Sequence, residues 1–178
     1  MVADIGARRG RTVAGVLLVS LAIALLAACD GQRIQALEEG VSTEADVRRQ
    51  FGEPERIWPG PGGSQVFEYD RQPSGQRNYM IAIGPDGKMA ALRQVLTPEN
   101  FQRIVPGMPA DEVRQRLGRP ARVTPYALKN EIVWDWRYLQ PPVNAMVFSV
   151  TFGPDSKVLR TGSMIDPESE GERAKPAG

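Results

Sequence analysis

The chain has 178 residues, with 22 Lys and Arg against 21 Asp and Glu, no histidine and a single cysteine. A hydrophobic content of 42% beside 24% charged residues is enough to bury a core in one domain or two small ones. Without histidine or a second cysteine, an intrachain disulfide, a His/Cys zinc site, a Ser/His/Asp triad and a Cys/His nucleophile are excluded. Only carboxylate, lysine or tyrosine chemistry is left, and the expectation is a protein that is not an enzyme and holds neither cofactor nor metal.

The first element is a leader. Arg8, Arg9 and Arg11 precede the uncharged apolar run Val13 to Ala28, the pattern of a signal peptide, and the run is short of the ~20 residues that a membrane-spanning helix needs. It stops at Leu26-Ala27-Ala28-Cys29, which resembles the lipobox of bacterial lipoproteins. The resemblance implies cleavage after residue 28 and acyl chains on Cys29, with residues 29–32 as a lipidated linker. Two acyl chains suffice for stable anchoring, because each buried CH₂ contributes about 0.8 kcal/mol. Loss of residues 1–28 removes three arginines and Asp4, leaving 19 basic and 20 acidic residues. That balance speaks against nucleic acid or a polybasic lipid surface as partner. Asp30 follows Cys29 and resembles the signal that retains enteric lipoproteins in the inner membrane, so both membranes remain open as the location, in each case on the periplasmic face.

Beyond the linker the chain repeats itself. Glu38 to Ile57 aligns with Val105 to Val123: Gly40 matches Gly107, Val47 matches Val113, Phe51 matches Leu117, Gly52 matches Gly118 and Pro54 matches Pro120. Val47/Phe51 and Val113/Leu117 are i,i+4 pairs that stack on one helix face, with Arg48 and Arg114 turned to water. Gly52 and Gly118 end each helix, and the proline two residues later prevents its resumption. Ser42 is the expected cap of the first helix, whereas Pro109 takes the first helical position of the second. A short helix is expected before each, over Gln32 to Glu39 and from Thr97 as cap.

The period then changes to alternation. Gln65, Phe67 and Tyr69 fall on one strand face, and Ile132, Trp134, Trp136 and Tyr138 on the equivalent face, with later strands carrying Tyr79, Ile81 and Ile83 or Phe148, Val150 and Phe152. Gly-Pro-Asp-Gly-Lys at 84–88 and Gly-Pro-Asp-Ser-Lys at 153–157 read as tight hairpin turns, with positive φ at Gly87 and, less comfortably, at Ser156. The fold class is α+β: two tandem repeats of two helices and three or four antiparallel strands, over residues 33–96 and 97–165, before a tail at 166–178 whose composition reads as disordered. Trp58 to Ser64 is Gly-rich but lacks the Lys-Ser/Thr of a phosphate cradle, and reads as a flexible loop.

The second repeat also resembles a family. Gly107-Met108, Leu117-Gly118-x-Pro120, an x-Pro-aromatic loop at Thr124-Pro125-Tyr126, the Trp-rich strand and the alternating strand into a hairpin are, in this order, similar to the BamE/SmpA-OmlA lipoproteins. These are single αα-βββ domains of the β-barrel assembly machinery at the outer membrane. The resemblance implies an accessory or scaffold role in outer-membrane protein assembly or envelope integrity, with an envelope protein such as the β-barrel assembly complex as partner and no small-molecule substrate. Carried over by position, it implies partner contacts at Tyr126 and Tyr138 beside Trp136; plain core packing is the competing reading for Trp134, Trp136 and Tyr138. The doubled arrangement is more similar to β-lactamase inhibitor proteins, which keeps open an inhibitor-like binder of a periplasmic enzyme. A concave sheet made by both repeats would favour that second role, and a patch confined to the second repeat the first.

Overall fold

The computed structural model describes residues 33–169. Two four-stranded antiparallel sheets are each strung in simple meander order. In the first repeat a helical turn at residues 33–35 precedes α1 (Glu44–Phe51), then β1 (Arg56–Pro59), β2 (Gln65–Asp70), β3 (Asn78–Ile83) and β4 (Met89–Gln94). The second runs α2 (Pro98–Phe101), α3 (Ala110–Leu117), β5 (Arg122–Tyr126), β6 (Glu131–Gln140), β7 (Asn144–Phe152) and β8 (Val158–Ile165). The α+β class and the two similar helix-and-sheet units expected from the sequence are what the chain adopts.

The repeat extends to single bonds. In each unit the last two strands share one register, Ile83 opposite Met89 and Phe152 opposite Val158, with a bulge at the same place. Each Gly-Pro-Asp turn closes with an N–H···O bond from its fourth residue to its first, Gly87 to Gly84 and Ser156 to Gly153, both at 3.0 Å. Gly87 and Ser156 have φ of 75° and 58°, so serine does adopt the left-handed conformation that favours glycine. α1 and α3 each end on a glycine whose carbonyl accepts a bond from an aromatic side chain: Tyr69 Oη to Gly52 O at 3.0 Å, and Trp136 Nε1 to Gly118 O at 3.0 Å.

Several local expectations are corrected. Thr43, not Ser42, caps α1: its hydroxyl accepts from Asp46 N, while the Asp46 carboxylate accepts from Thr43 N at 3.0 Å. Ser42 instead accepts from Glu38 N. Pro109 stands one place earlier than expected, at the N-cap of α3, and supplies no capping bond. Thr124, Pro125 and Tyr126 are strand, not loop. Trp58 and Pro59 likewise belong to β1, and only Pro61–Gly63 forms a 3-10 turn. The tail expected from 166 onward begins docked: Asp166 is buried and accepts from Arg137 Nε at 2.7 Å. The leader, Cys29 and the remainder of the tail lie outside the described residues.

Layering is what the alternating pattern does not reveal. One face of sheet 1 (β1 to β4) packs on α1 through Phe67, Tyr69, Tyr79, Ile81 and Ile83. Its other face, expected to meet water, is covered by the second repeat, because Met80 and Val66 join the core formed by α3 and the inner face of sheet 2 (β5 to β8). The order is therefore α1, sheet 1, α3, sheet 2.

Candidate functional site

The residues expected to meet a partner separate in the structure. Trp136 is 0% exposed and Tyr138 3%; both belong to the second core, Tyr138 edge-on to Phe101 at 4.8 Å between centroids. Packing is their role, and neither presents a ring to a partner. Tyr126 is different: it lies at the end of β5, half-exposed, with the 3-10 turn Ala127–Lys129 behind it.

The β5–β6 hairpin that carries Tyr126 has exposed apolar side chains on both faces: alternation puts Tyr126 on the face of Glu131 and Val133, and Val123 and Ile132 on the other. Val123 and Ile132 are exposed on the flanking strands, and Leu128 at the tip of the β5–β6 hairpin is wholly exposed. Asn130 in left-handed conformation (φ 50°) reverses the chain after that tip, and five facing pairs from Arg122/Asp135 to Tyr126/Glu131 hold the arm in register. A single exposed leucine is ordinary, and it is the run of exposed apolar side chains along this one hairpin, Val123, Tyr126, Leu128 and Ile132, that sets the arm apart. The corresponding tip of the first repeat is Pro61–Gly63, with no large apolar side chain.

A second constellation escaped the sequence reading, which found no buried carboxylate pair. Glu68 and Asp70 stand two apart on β2 and share the face turned to the second repeat. Glu68 is fully buried; it accepts from Arg114 Nη2 at 2.9 Å and from Trp58 Nε1 at 2.8 Å. Asp70 Oδ1 accepts from Arg119 N at 3.0 Å, whereas Oδ2 is buried without a hydrogen-bond partner. Burial first, then the negative charge of the neighbouring Glu68 carboxylate, push the Asp70 carboxyl up to about 8. Beside it, Asn78 Nδ2 donates to the carbonyls of Leu117 and Arg119 at 2.8 and 3.0 Å, so sheet 1 caps the end of α3. A general acid must reach a substrate atom, and this pair is closed between sheet 1 and α3. It acts as a clasp between the repeats. The signal that could have found it is the period-two spacing Glu68/Asp70 opposite Arg114, legible only once α3 is known to lie there.

A cavity of about 230 Å³ lies on the outer face of sheet 2, lined by Val147, Pro73 and Pro167 and by the charged Arg122, Asp135, Arg137, Asp166 and Glu168 among others. Its charges are already paired: Arg122 with Asp135, and Arg137 with Asp166 and Glu168. Among the described residues no group of His, Cys, Asp and Glu could hold a metal ion, and no helix is long and apolar enough to cross a membrane.

No family model matches the chain, and no curated protein matches it. Among solved structures, a DUF4309 family protein (YjgB) from Bacillus subtilis is similar over 74% of this chain and 84% of its own, at 24% identity and a TM-score of 0.28. A likeness that low carries no argument.

Proposed function

We propose that this is a non-enzymatic, lipid-anchored envelope protein that acts by binding, in the manner of BamE-like accessory proteins of outer-membrane assembly. Acyl chains on Cys29 hold it at the periplasmic face of the outer membrane, and the second repeat meets the partner, an envelope protein such as the β-barrel assembly complex. The observation that carries the reading is the β5–β6 hairpin, a braced arm that exposes Tyr126 on one face, Val123 and Ile132 on the other and Leu128 at its tip. Apolar and aromatic groups of this kind are the usual anchors of protein interfaces. The inhibitor-like alternative is favoured by a concave sheet made from both repeats; the two sheets are separate, and the apolar hairpin belongs to one repeat.

The test is an affinity pull-down of the tagged full chain from crosslinked, detergent-solubilised envelopes, with Leu128→Glu and Tyr126→Ala beside it. Barrel-assembly components that co-purify with the wild type and are reduced at least about tenfold in the Leu128→Glu variant, as expected for loss of an interface anchor worth about 1.4 kcal/mol or more, support the reading. A single periplasmic enzyme in their place sinks the assembly role. Cys29→Ser should move the protein from the membrane to the soluble fraction; retention in the membrane would mean that acylation is not the anchor.

A further inference from the structure

The two sheets end on equivalent edge strands, β4 and β8, and the edges are finished differently. Where each strand begins, the backbone closes the edge alike: Gly40 N–H donates to Met89 O and Met89 N–H to Ser42 O, as Gly107 does to Val158 and Val158 to Met108. Farther along β4, Leu92 N–H donates to the Glu39 carboxylate at 2.9 Å, and Leu92 O accepts from Arg93, which pairs with Glu39 as well. A charged pair thus plugs the edge of sheet 1. Glu39 precedes Gly40, and the residue that precedes Gly107 is Pro106, which has no side-chain acceptor; the residue matching Arg93 by register is Gly162. Among the described residues no such plug closes β8.

Register shows which groups this frees. Leu92 faces Ile81 with its N–H and C=O turned outward, and Thr161 faces Val150 in the same register. At the far end Asp166 N–H donates to Ala145 O at 3.0 Å. Counting from either end by the alternation of antiparallel pairs, Thr161, Ser163 and Ile165 turn their backbone groups away from β7. Natural edge strands are commonly blunted by lysine, proline or a covering segment. From Val158 to Ile165 this one holds neither lysine nor proline, and its single charge, Arg160, is engaged by Glu131.

We propose that β8 pairs antiparallel with β8 of a second copy, about a two-fold axis at Ser163, joining two four-stranded sheets into one of eight. The occupant is argued from how well the strand complements itself. With the axis at Ser163, Gly162 lies opposite the partner's Met164, Thr161 opposite the partner's Ile165, and Arg160 opposite the partner's Asp166. A Cβ at Gly162 would meet nothing within 4 Å, so there is open space for Met164, which is 59% exposed in the single chain. Ile165, 55% exposed, comes to Thr161 at the mouth of an open groove of about 350 Å³ whose lining includes Pro98, Phe101, Met146 and Ser163. Two of the strand's three exposed apolar side chains, Met164 and Ile165, meet small neighbours, with Leu159 left beyond Thr161, and Arg160 and Asp166 keep their own-chain partners Glu131 and Arg137. A slip to an axis at Thr161 would set Lys157 opposite the partner's Ile165 and lose this match. An isologous contact closes on itself and ends at the dimer.

Disulfide trapping in the full chain tests this. Ser163→Cys places two thiols across the axis, at a separation within the range a disulfide spans. Thr161→Cys puts them four residues apart, beyond bridging, and Ser74→Cys on the exposed surface of the first repeat reports random collision. Membranes carrying each variant are oxidised and run on a non-reducing gel, with the unsubstituted chain as the control for Cys29. The expected result is a shift of Ser163→Cys to a band of twice the mass, with the other two monomeric, and loss of that band when Gly162→Glu is added to fill the seat of Met164. A monomeric Ser163→Cys, or equal dimer at all three positions, overturns the proposal.

Discussion

Asp70 and Gly118 meet where sheet 1 receives the end of α3, and each makes a prediction there. Asp70 ordinarily titrates near 3.8 and is raised to about 8 in the fold. Below about pH 4 the folded and unfolded states both hold the proton; between about 4 and 8 only the folded state does, so stability falls as pH rises through that window and levels above it. Glu68, Arg114 and the Arg119 N–H face this carboxyl. Asp70→Asn keeps the acceptor and removes the titration, so its urea midpoint should gain on the wild type between pH 5 and pH 9; an unchanged difference would refute the assignment. At Gly118, φ is +75° and an added Cβ would overlap Asp70 Oδ1 and lie 2.9 Å from Asn78 Nδ2, whereas at Gly52 φ is +84° with nothing within 4 Å. Gly52→Ala should cost the conformational strain alone, about 1 to 2 kcal/mol, and Gly118→Ala distinctly more in the same denaturation assay. Equal costs would mean that the close approach of the repeats at Gly118 contributes nothing.

At the level of elements, much was legible because the signals are local. Val47, Phe51, Val113 and Leu117 are all buried as their i,i+4 spacing requires, and the two Gly-Pro-Asp turns form as read. The cap of α1 was misplaced by one because Ser42 and Thr43 are chemically alike; what distinguishes Thr43 is Asp46 three residues on, a reciprocal cap with Asp in the place usually held by Glu or Gln. Thr43→Ala should therefore cost about 1 kcal/mol, measurable as a lower denaturation midpoint, while α3 has no such bond to lose. Alternation along β2 was legible, but not that both faces would be covered, since the covering helix comes from the other repeat. For the same reason the buried pair Glu68 and Asp70 was not found from the sequence. Of the candidate contact residues, Tyr126 is half-exposed, but on strand β5 and not in the loop that its proline-flanked position suggested; Trp136 and Tyr138 carry the same period-two signal whether a strand face meets a core or a partner, so sequence alone left both roles open for them.

Over the whole molecule the repeats are joined by the Glu68–Arg114 pair, by the Asp70 and Asn78 bonds to the end of α3, by Gln72 Nε2 donating to Arg137 O at 2.7 Å, and by Met80 in the second core. Arg114→Ala leaves Glu68 buried without its cation and should cost about 3 to 5 kcal/mol. Replacing both, with Glu68→Gln and Arg114→Met, should restore much of the loss. Because the interface is shared, equilibrium unfolding should be one transition, identical by tryptophan fluorescence and far-ultraviolet circular dichroism. Two separated transitions would show the halves to be independent.

The layer order also bears on how the chain comes into being. Glu68 waits for Arg114, 46 residues later, so a first repeat that has just been made can close α1 over one side of its sheet while Val66, Glu68 and Met80 still face water. During that interval the nascent protein displays, for a time, a surface that the mature one never shows. A chain that stops between the repeats would keep it on display, which makes an interrupted synthesis a substrate for quality control instead of a smaller working version of the molecule.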